Sequence, residues 1–446
     1  MTDAEIQEKR EKCTEDASIS RGPGLIVPLR DRRFRLLFIG QICSLMGDQF
    51  YLVALPFLVL NHRSVTVLGE ILLVFGVARM ATLPVGGILA DRFSGARTRL
   101  IIGSNAGRMA LLVILAAALP ATIPPLLVLA AAIGALEGLY LPPSMALLPD
   151  VVDESLIGPA NALLGAATMA ATLAGPALAG LLVVGVGPGA GFAVDAATFA
   201  ISVVTLSLIG TGRRGATAAS DATAGTGPGD GEAATSGGAA EESGTWLGDA
   251  RKRGAFWQLL RSSRMLQFSL LITLIVNFTY AGAEQIALPV FSKVTLLDGA
   301  RGYGLLLSAF GGGSLVGALG SGRLFGWPNR AKLALLFGTL QGVALALIPA
   351  GHALAVGMAA LAVAGICGGM IDVFYVSMLQ SKLPAALLGR SMSALMLAAL
   401  GVYPISVALS GLIVQHFGPT PIFLIDGAVV CAGFLIGFTS REFRNL

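Results

Sequence analysis

The sequence predicts an all-α membrane protein whose twelve transmembrane helices form two pseudo-symmetric six-helix bundles. Three observations carry that prediction. The 446 residues are 55% hydrophobic and 13% charged, with a mean hydropathy of +0.79, too apolar for a water-soluble protein of this length. Apolar runs longer than the ~18 residues that mark a spanning helix recur along the chain, whereas the ~10-residue alternating strands of a membrane barrel are not seen. Finally, the second half of the chain repeats residue patterns of the first at a constant shift.

The spans read, in order, as Phe34–Leu60, Leu68–Ala90, Leu100–Leu119, Ile123–Leu148, Ala160–Val186, Gly191–Ile209, Leu266–Val290, Gly302–Leu324, Leu333–Ile348, Ala353–Gln380, Ser391–Val414 and Pro421–Thr439. Orientation follows from the segment Gly86 to Arg99, in which Asp91, Arg92, Arg97 and Arg99 interrupt two apolar runs. Charges at the bilayer centre cost several kcal/mol each, so this segment is a surface loop, and its arginines hold it in the cytoplasm. Both chain ends then lie inside. Of the 30 basic residues, 25 fall on that side, only Arg63, Lys293 and Arg301 fall outside, and Arg79 and Arg108 lie within spans.

Residues 1–33 read as a cytoplasmic tail, without the apolar core of a signal peptide. The bundles occupy 34–209 and 264–440, and a short cytoplasmic tail covers 441–446. Between the bundles, 210–263 is a cytoplasmic linker whose 215–244 stretch is nearly all Gly, Ala, Ser, Thr, Asp and Glu; such a composition cannot bury enough apolar surface to order itself. The string Gly227-Pro228-Gly229-Asp230, a match to intramembrane aspartyl proteases, falls in this polar linker and is read as chance.

The repeat is explicit. Gly86, Arg92, Gly95 and Arg99 recur as Gly317, Arg323, Gly326 and Arg330, a shift of 231 residues. The series Ala177, Leu178, Gly180, Gly187, Pro188, Phe192 and Asp195 recurs as Ala408, Leu409, Gly411, Gly418, Pro419, Phe423 and Asp426 at the same shift. A duplicated six-helix unit is the plan of a transporter whose halves rock about a central site.

Further motifs identify a relationship. Arg30-Asp31-Arg32-Arg33-Phe34, Gly47-Asp48-Gln49, the Gly86 to Arg99 loop, Leu147-Leu148-Pro149, Ala160-Asn161-Ala162-Leu163 and Gly389-Arg390 together resemble the major facilitator superfamily. Within it they resemble the drug and siderophore exporter branch that includes macrolide efflux proteins and the enterobactin exporter. The resemblance implies that the Asp and Arg residues of the loop latch the inner ends of the halves together when the site faces outward. Gly86, Asp91, Arg92, Gly95, Arg99 and Arg108 are the gating residues on this reading, and Arg108, ~12 Å inside the third span, would help hold the cytoplasmic ends. The second copy has Gly322 where the first has Asp91, so the latch would be asymmetric. Gly175-Pro176-Ala177-Leu178-Ala179-Gly180 resembles the antiporter motif of helix 5, with Ala179 replacing a glycine; helix packing through small residues is the alternative reading, and the reading given to Gly313 and Gly317.

In that fold helices 1, 4, 7 and 10 line the cavity, and each carries one acid here: Asp48, Glu137, Glu284 and Asp372. At 1.5 Å per residue Asp48 and Glu137 lie near mid-membrane, ~21 and ~18 Å from the span ends, and Arg79 is at similar depth, so depth allows an Asp48–Arg79 pair. Intramembrane charges must face a partner or a wet cavity. A carboxylate withdrawn from water holds a proton more readily and a neighbouring guanidinium opposes this, the competition that proton coupling requires. Asp48 and Glu137 are the first candidates for proton or cation binding, with Gln41, Asn277 and Tyr375 as polar contacts for substrate. Asp195 and Asp426 read as structural, and Pro142-Pro143 should kink or break the fourth helix below Glu137.

The scattered Cys13, Cys43, Cys367 and Cys431 suggest neither a disulfide framework nor a zinc site; they read as packing residues. His62, His352 and His416 fall in predicted outer loops without acidic partners. No lysine follows the glycine of a GxxxxGK[ST] phosphate loop. No cofactor, metal or nucleic acid is expected, and no enzymatic activity. The expected function is proton-coupled export of a small amphipathic compound, a drug or natural product, by a monomer in the plasma membrane. Siderophore export, uptake by the same fold, and a non-transporting sensor or scaffold are the alternatives; the partners are a small molecule, protons and the lipid bilayer.

Overall fold

The computed structural model describes residues 26–92, 97–118, 122–209, 264–324, 330–382 and 394–439. Twelve helices in these segments are long and apolar enough to cross a membrane. They are α1 (Arg32–Leu60), α2 (Val65–Arg92), α3 (Arg97–Ala118), α4 (Ile123–Val151), α5 (Ile157–Val186), α6 (Pro188–Ile209), α7 (from Arg264–Gly282 through Thr295), α8 (Gly299–Leu324), α9 (Arg330–Leu347), α10 (Leu354–Lys382), α11 (Tyr403–Phe417, preceded by helical residues from Ala394) and α12 (Thr420–Thr439). The 215–244 stretch, Cys13, Gly95 and Gly389-Arg390 lie outside the described residues.

Local chemistry explains the helix ends. Asp31 precedes α1 in extended conformation and its carboxylate accepts the Arg33 N–H at 2.8 Å, satisfying one of the four donors a helix start leaves open. At the ends of α5 and α11, Gly187 (φ 110°) and Gly418 (φ 77°) stop the helix in left-handed backbone that a side chain would strain; the repeat seen in sequence is thus a repeated stop signal.

Within the first half α2 packs on α4, α1 on α6, and α3 on both α4 and α6; α8 on α10, α9 on α12 and α9 on α10 repeat the scheme in the second. The halves meet along α5–α8 and α2–α11. Glycines make both seams close. A Cβ on Gly69 would lie 3.3 Å from the Gly411 Cα, one on Gly76 2.8 Å from the Pro404 ring, and one on Gly180 2.5 Å from the Ala300 carbonyl. Gly304 abuts the Pro176 carbonyl, and the Ala177 N–H donates 3.0 Å to Ser308 Oγ. Val65 N–H to Gln415 Oε1 (3.1 Å) and Lys293 Nζ to the Leu60 carbonyl (2.5 Å) tie the same end.

All these contacts lie toward the end of the molecule opposite the α2–α3 loop. Toward the loop end, Gly158, Gly165 and Gly322 face open space, and Met145, Val316 and Leu319 are exposed. Among the described residues the halves are therefore joined at one end and splayed at the other.

Pro142 and Pro143 do not break the fourth helix: α4 runs unbroken from Ile123 to Val151. The two prolines remove the donors that the Gly138 and Leu139 carbonyls would have used. Gly86 of α2 fits against those freed carbonyls, where a Cβ would stand 2.9 and 3.0 Å from them, and Thr82 donates to the Ala135 carbonyl one turn away at 2.8 Å. Tight packing of a neighbouring helix holds the interruption in line.

Candidate functional site

The first half concentrates charge between α1, α2, α3 and α4. Gly47 lets α1 approach α6, which fixes the direction of the next residue, Asp48. Arg108 of α3 donates to Asp48 Oδ1 at 2.8 Å and stands 4.0 Å from Glu137 Oε2. Arg79 of α2 reaches Glu137 Oε1 at 3.4 Å. The result is a chain, Asp48–Arg108–Glu137–Arg79, with carboxylates and guanidiniums alternating across four helices. The Arg108 guanidinium also lies 4.3 Å from the Phe199 ring centroid, a cation–π contact from α6. The Arg108 side chain is 7% exposed and that of Asp48 36%, so the chain is buried at Arg108 and most exposed at its Asp48 end. Beside it Tyr140 donates to Gln41 Oε1 at 3.1 Å.

Two expectations are corrected here. Asp48 pairs with Arg108, not with Arg79; α2 packs on α4, so Arg79 points to Glu137 although its depth matches Asp48. Arg108 does not hold the loop ends of the helices. It sits eleven residues along α3 from Arg97, ~17 Å, and joins the acids.

The second half keeps the frame and loses the charge. Gly138 receives the Arg79 carbonyl and Gly365 the Phe310 carbonyl, so Phe310 stands where Arg79 does, at a shift of 231 residues from α2 to α8 and of 227 from α4 to α10. The residue before each glycine is Glu137 in one half and the fully buried Ala364 in the other. An Arg–Glu pair has become Phe and Ala.

Glu284 is the acid of this half that lies against the seam. Pro289 offers no N–H, and the Leu288 N–H goes to Ala283, so the helix widens into a π-type turn over Ala283–Ala287 and leaves the Glu284 carbonyl without a helical donor. The buried Tyr303 hydroxyl of α8 supplies one at 3.1 Å, and Tyr280 donates to Glu284 Oε1 at 3.0 Å. Tyr280 in turn packs on Phe310 with ring centroids 5.2 Å apart. Among the described residues no cation pairs with Glu284. Asp372 on α10 is exposed, Tyr375 and Thr273 share a 3.2 Å hydrogen bond, and Asn277 donates to the Thr273 carbonyl at 2.8 Å.

The gating candidates divide. Arg92 and Arg99 are exposed, and the Asp91 side chain and Gly95 lie outside what is described. Arg97 instead closes the loop within its own half, donating to the Ala90 carbonyl at 3.0 Å and pairing with Asp150 of α4 at 3.1 Å. Gly175 and Pro176 lie where α5 meets the other elements: Gly175 against Gln49 of α1, and Pro176 at the α8 seam, its missing N–H freeing the Thr172 carbonyl that faces Gly311. Gly313 and Gly317 pack on the Ala362 and Ile366 carbonyls of α10. His416 lies in the last turn of α11, not in a loop, its ring nitrogen 2.9 Å from the Leu412 carbonyl.

Sequence reasoning missed Arg97–Asp150, Tyr280, Tyr303 and the burial of Asp195. Pro289 five residues after Glu284 was the available signal for the widened turn. For Tyr303 there was none, since its role depends on how α8 packs.

A family model described as Major Facilitator Superfamily matches residues 37–402. No match to a curated protein was found. Among solved structures, a POT family transporter in complex with thioalcohol-conjugated peptide is 15% identical, with a TM-score of 0.65 over 91% of this chain and 95% of that one. A D-xylose-proton symporter is 13% identical, with a TM-score of 0.64 over 91% and 95%. A bacterial homologue of the iron transporter ferroportin in an inward-facing state is 15% identical, with a TM-score of 0.66 over 92% and 99%. At these identities the likeness is one of fold.

Proposed function

The chain belongs to the Major Facilitator Superfamily, a multi-pass membrane transporter, and from that premise we propose that it exports a small amphipathic compound in exchange for protons by alternating access. The single observation that carries this reading is the alternating Asp48–Arg108–Glu137–Arg79 chain beside a space open at one end only. Such a chain can change partners when a carboxylate gains a proton: Arg108, released by a neutral Asp48, has Glu137 within reach. Movement of one guanidinium thus couples protonation to the relative position of α1, α3 and α4.

The charge bias of the loops supports a cytoplasmic location for both chain ends and for the splayed end, in a plasma membrane. On that orientation the structure is an inward-open state. The latch of Asp91, Arg92 and Arg99 belongs to the opposite state, and Gly175 and Pro176 to the outer seam that must open to reach it. Gln41, Glu284, Asp372, Asn277 and Tyr375 form the polar contacts of the substrate path, and the aromatic side chains around Glu284 suit an apolar body carrying a positive group.

A susceptibility panel of amphipathic compounds tests this in cells expressing the chain, with and without a protonophore, beside Asp48→Asn and Glu137→Gln. The reading expects lowered accumulation of at least one compound, lost with the protonophore and in both variants. Accumulation that is unchanged, or lowered regardless of the gradient, refutes proton-coupled export; raised accumulation indicates uptake.

A further inference from the structure

The α1–α6 seam holds a buried polar feature that the ion-pair chain does not use. Asp195, Thr198, Ser202 and Thr205 follow one another on α6 at spacings of three and four residues and therefore share one face. Asp195 is 1% exposed, Ser202 2% and Thr205 7%. Helix α1 meets this face with glycines. A Cβ on Gly47 would strike Thr198 Oγ1 and Asp195 Oδ1, and one on Gly40 would strike Thr205 Oγ1. From α3, Asn105 donates to Ser202 Oγ at 3.0 Å. A strip of polar side chains thus runs ~15 Å along α6, from Asp195 toward the splayed end.

Asp195 Oδ1 has no hydrogen-bond partner, although it is buried. The titratable groups that face it are Asp48 and Tyr51 from α1, Arg108 from α3 and, beyond Arg108, Glu137 from α4; α5 contributes none. Both guanidiniums of the cluster are engaged by Asp48 and Glu137, and neither pairs with Asp195. Three carboxylates against two guanidiniums leave one negative charge with no further counter-ion among the described residues. A proton on Asp195 would balance it, and Oδ1 is the atom left without a hydrogen-bond partner.

The second half supplies an internal control. At the shift of 231, the face reads Asp426, Val429, Gly433 and Ile436. The carboxyl is retained and likewise buried, with Oδ2 unpartnered, but the hydroxyl strip and the neighbouring arginine are gone.

We propose that Asp195, on a helix outside the cavity lining, carries an exchanged proton in addition to Asp48, and that the Thr198–Ser202–Thr205 strip connects it to the end of the molecule that is open here. The step is a simple proton transfer: an O–H bond of a hydronium ion breaks as the O–H bond on Asp195 forms, leaving water, and the carboxyl O–H breaks in turn when the proton passes back to water. The assignment rests on the proton-coupled reading above and deepens it.

The test measures protons taken up per chain after a pH jump, using the purified full-length chain in lipid nanodiscs with a pH dye, and infrared absorption of protonated carboxyls on the same samples. Asp195→Asn should lose one proton per chain and the matching carboxyl band, Asp426→Asn should lose neither, and Asp195→Glu should restore both. Ser202→Val with Thr205→Val, which leaves Asp195 in place, should slow uptake severalfold without changing its extent. An Asp195→Asn chain that takes up as many protons as the parent overturns the assignment; unchanged rates in the double variant overturn the route. These readouts need no substrate. A titrating Asp195 in a chain that fails the accumulation panel therefore rejects coupled export while leaving the proton site standing.

Discussion

Substituting Arg108 by Gln removes the cation shared by two carboxylates, and the structure sets the size of the effect. Its guanidinium is almost fully buried and touches Asp48 at 2.8 Å, Glu137 at 4.0 Å and the Phe199 ring at 4.3 Å. Breaking a buried ion pair from one side costs ~3 to 5 kcal/mol, because the partner charge is left behind. Arg79 remains beside Glu137 and Asp48 keeps about a third of its side-chain surface exposed, so the lower end of that range, ~3 kcal/mol, is expected. Asp48→Asn removes the exposed partner and a charge-assisted hydrogen bond worth ~1.5 to 3 kcal/mol, reduced to about 1.5 by solvent screening. The two changes should not add. With Asp48 already neutral, loss of Arg108 strands only Glu137, so the double variant should recover ~1 to 2 kcal/mol of the sum. Equilibrium unfolding in mixed micelles titrated with a denaturing detergent measures all four corners of the cycle. A coupling energy below ~0.5 kcal/mol, the level of independent sites, would refute the claim that these groups act as a unit.

Other perturbations test separate parts of the account. Tyr303→Phe strands the Glu284 carbonyl at the widened turn of α7 and should cost ~1 to 3 kcal/mol in the same unfolding assay, whereas a carbonyl satisfied elsewhere would leave stability unchanged. Gly47→Val forces a side chain into Thr198 and Asp195 and should cost at least ~1 to 3 kcal/mol; full stability would mean α1 and α6 are not in contact there. Asp150→Asn removes a charge-assisted hydrogen bond from Arg97 between side chains only 23% and 19% exposed and should cost ~1.5 to 3 kcal/mol in the unfolding assay; unchanged stability would mean that the pair does not hold the α2–α3 loop against α4. Gly304→Leu should wedge the α5–α8 seam where Pro176 crosses and raise the labelling rate of a cysteine placed at Ser308; an unchanged rate would argue that the seam is not what closes this end.

The fold was legible because its signals are one-dimensional. Apolar run length marked the spans, and the Gly187 and Gly418 stops recurred at one shift. Pairing was less legible because it depends on where a side chain points around its helix. Depth alone matched Arg79 with Asp48, but the packing of α2 on α4 turned Arg79 to Glu137 and left Asp48 to Arg108. The twin prolines of α4 misled for a related reason: a lost donor breaks a helix only where nothing packs against it, and Gly86 does. Asp195 read as structural because its repeat partner Asp426 did; only the surroundings, a hydroxyl strip and an arginine on one side and Val429 and Gly433 on the other, tell the two apart.

The central claim is that two bundles exchange which end is open around the carboxylate chain. Distances between spin labels measure this directly, one pair at His62 and Phe417 on the closed end and one at Ile88 and Leu397 on the splayed end, in liposomes at acid and alkaline pH. The account predicts that the first distance lengthens as the second shortens between the two conditions. Distances that stay fixed, or that lengthen and shorten together, contradict it.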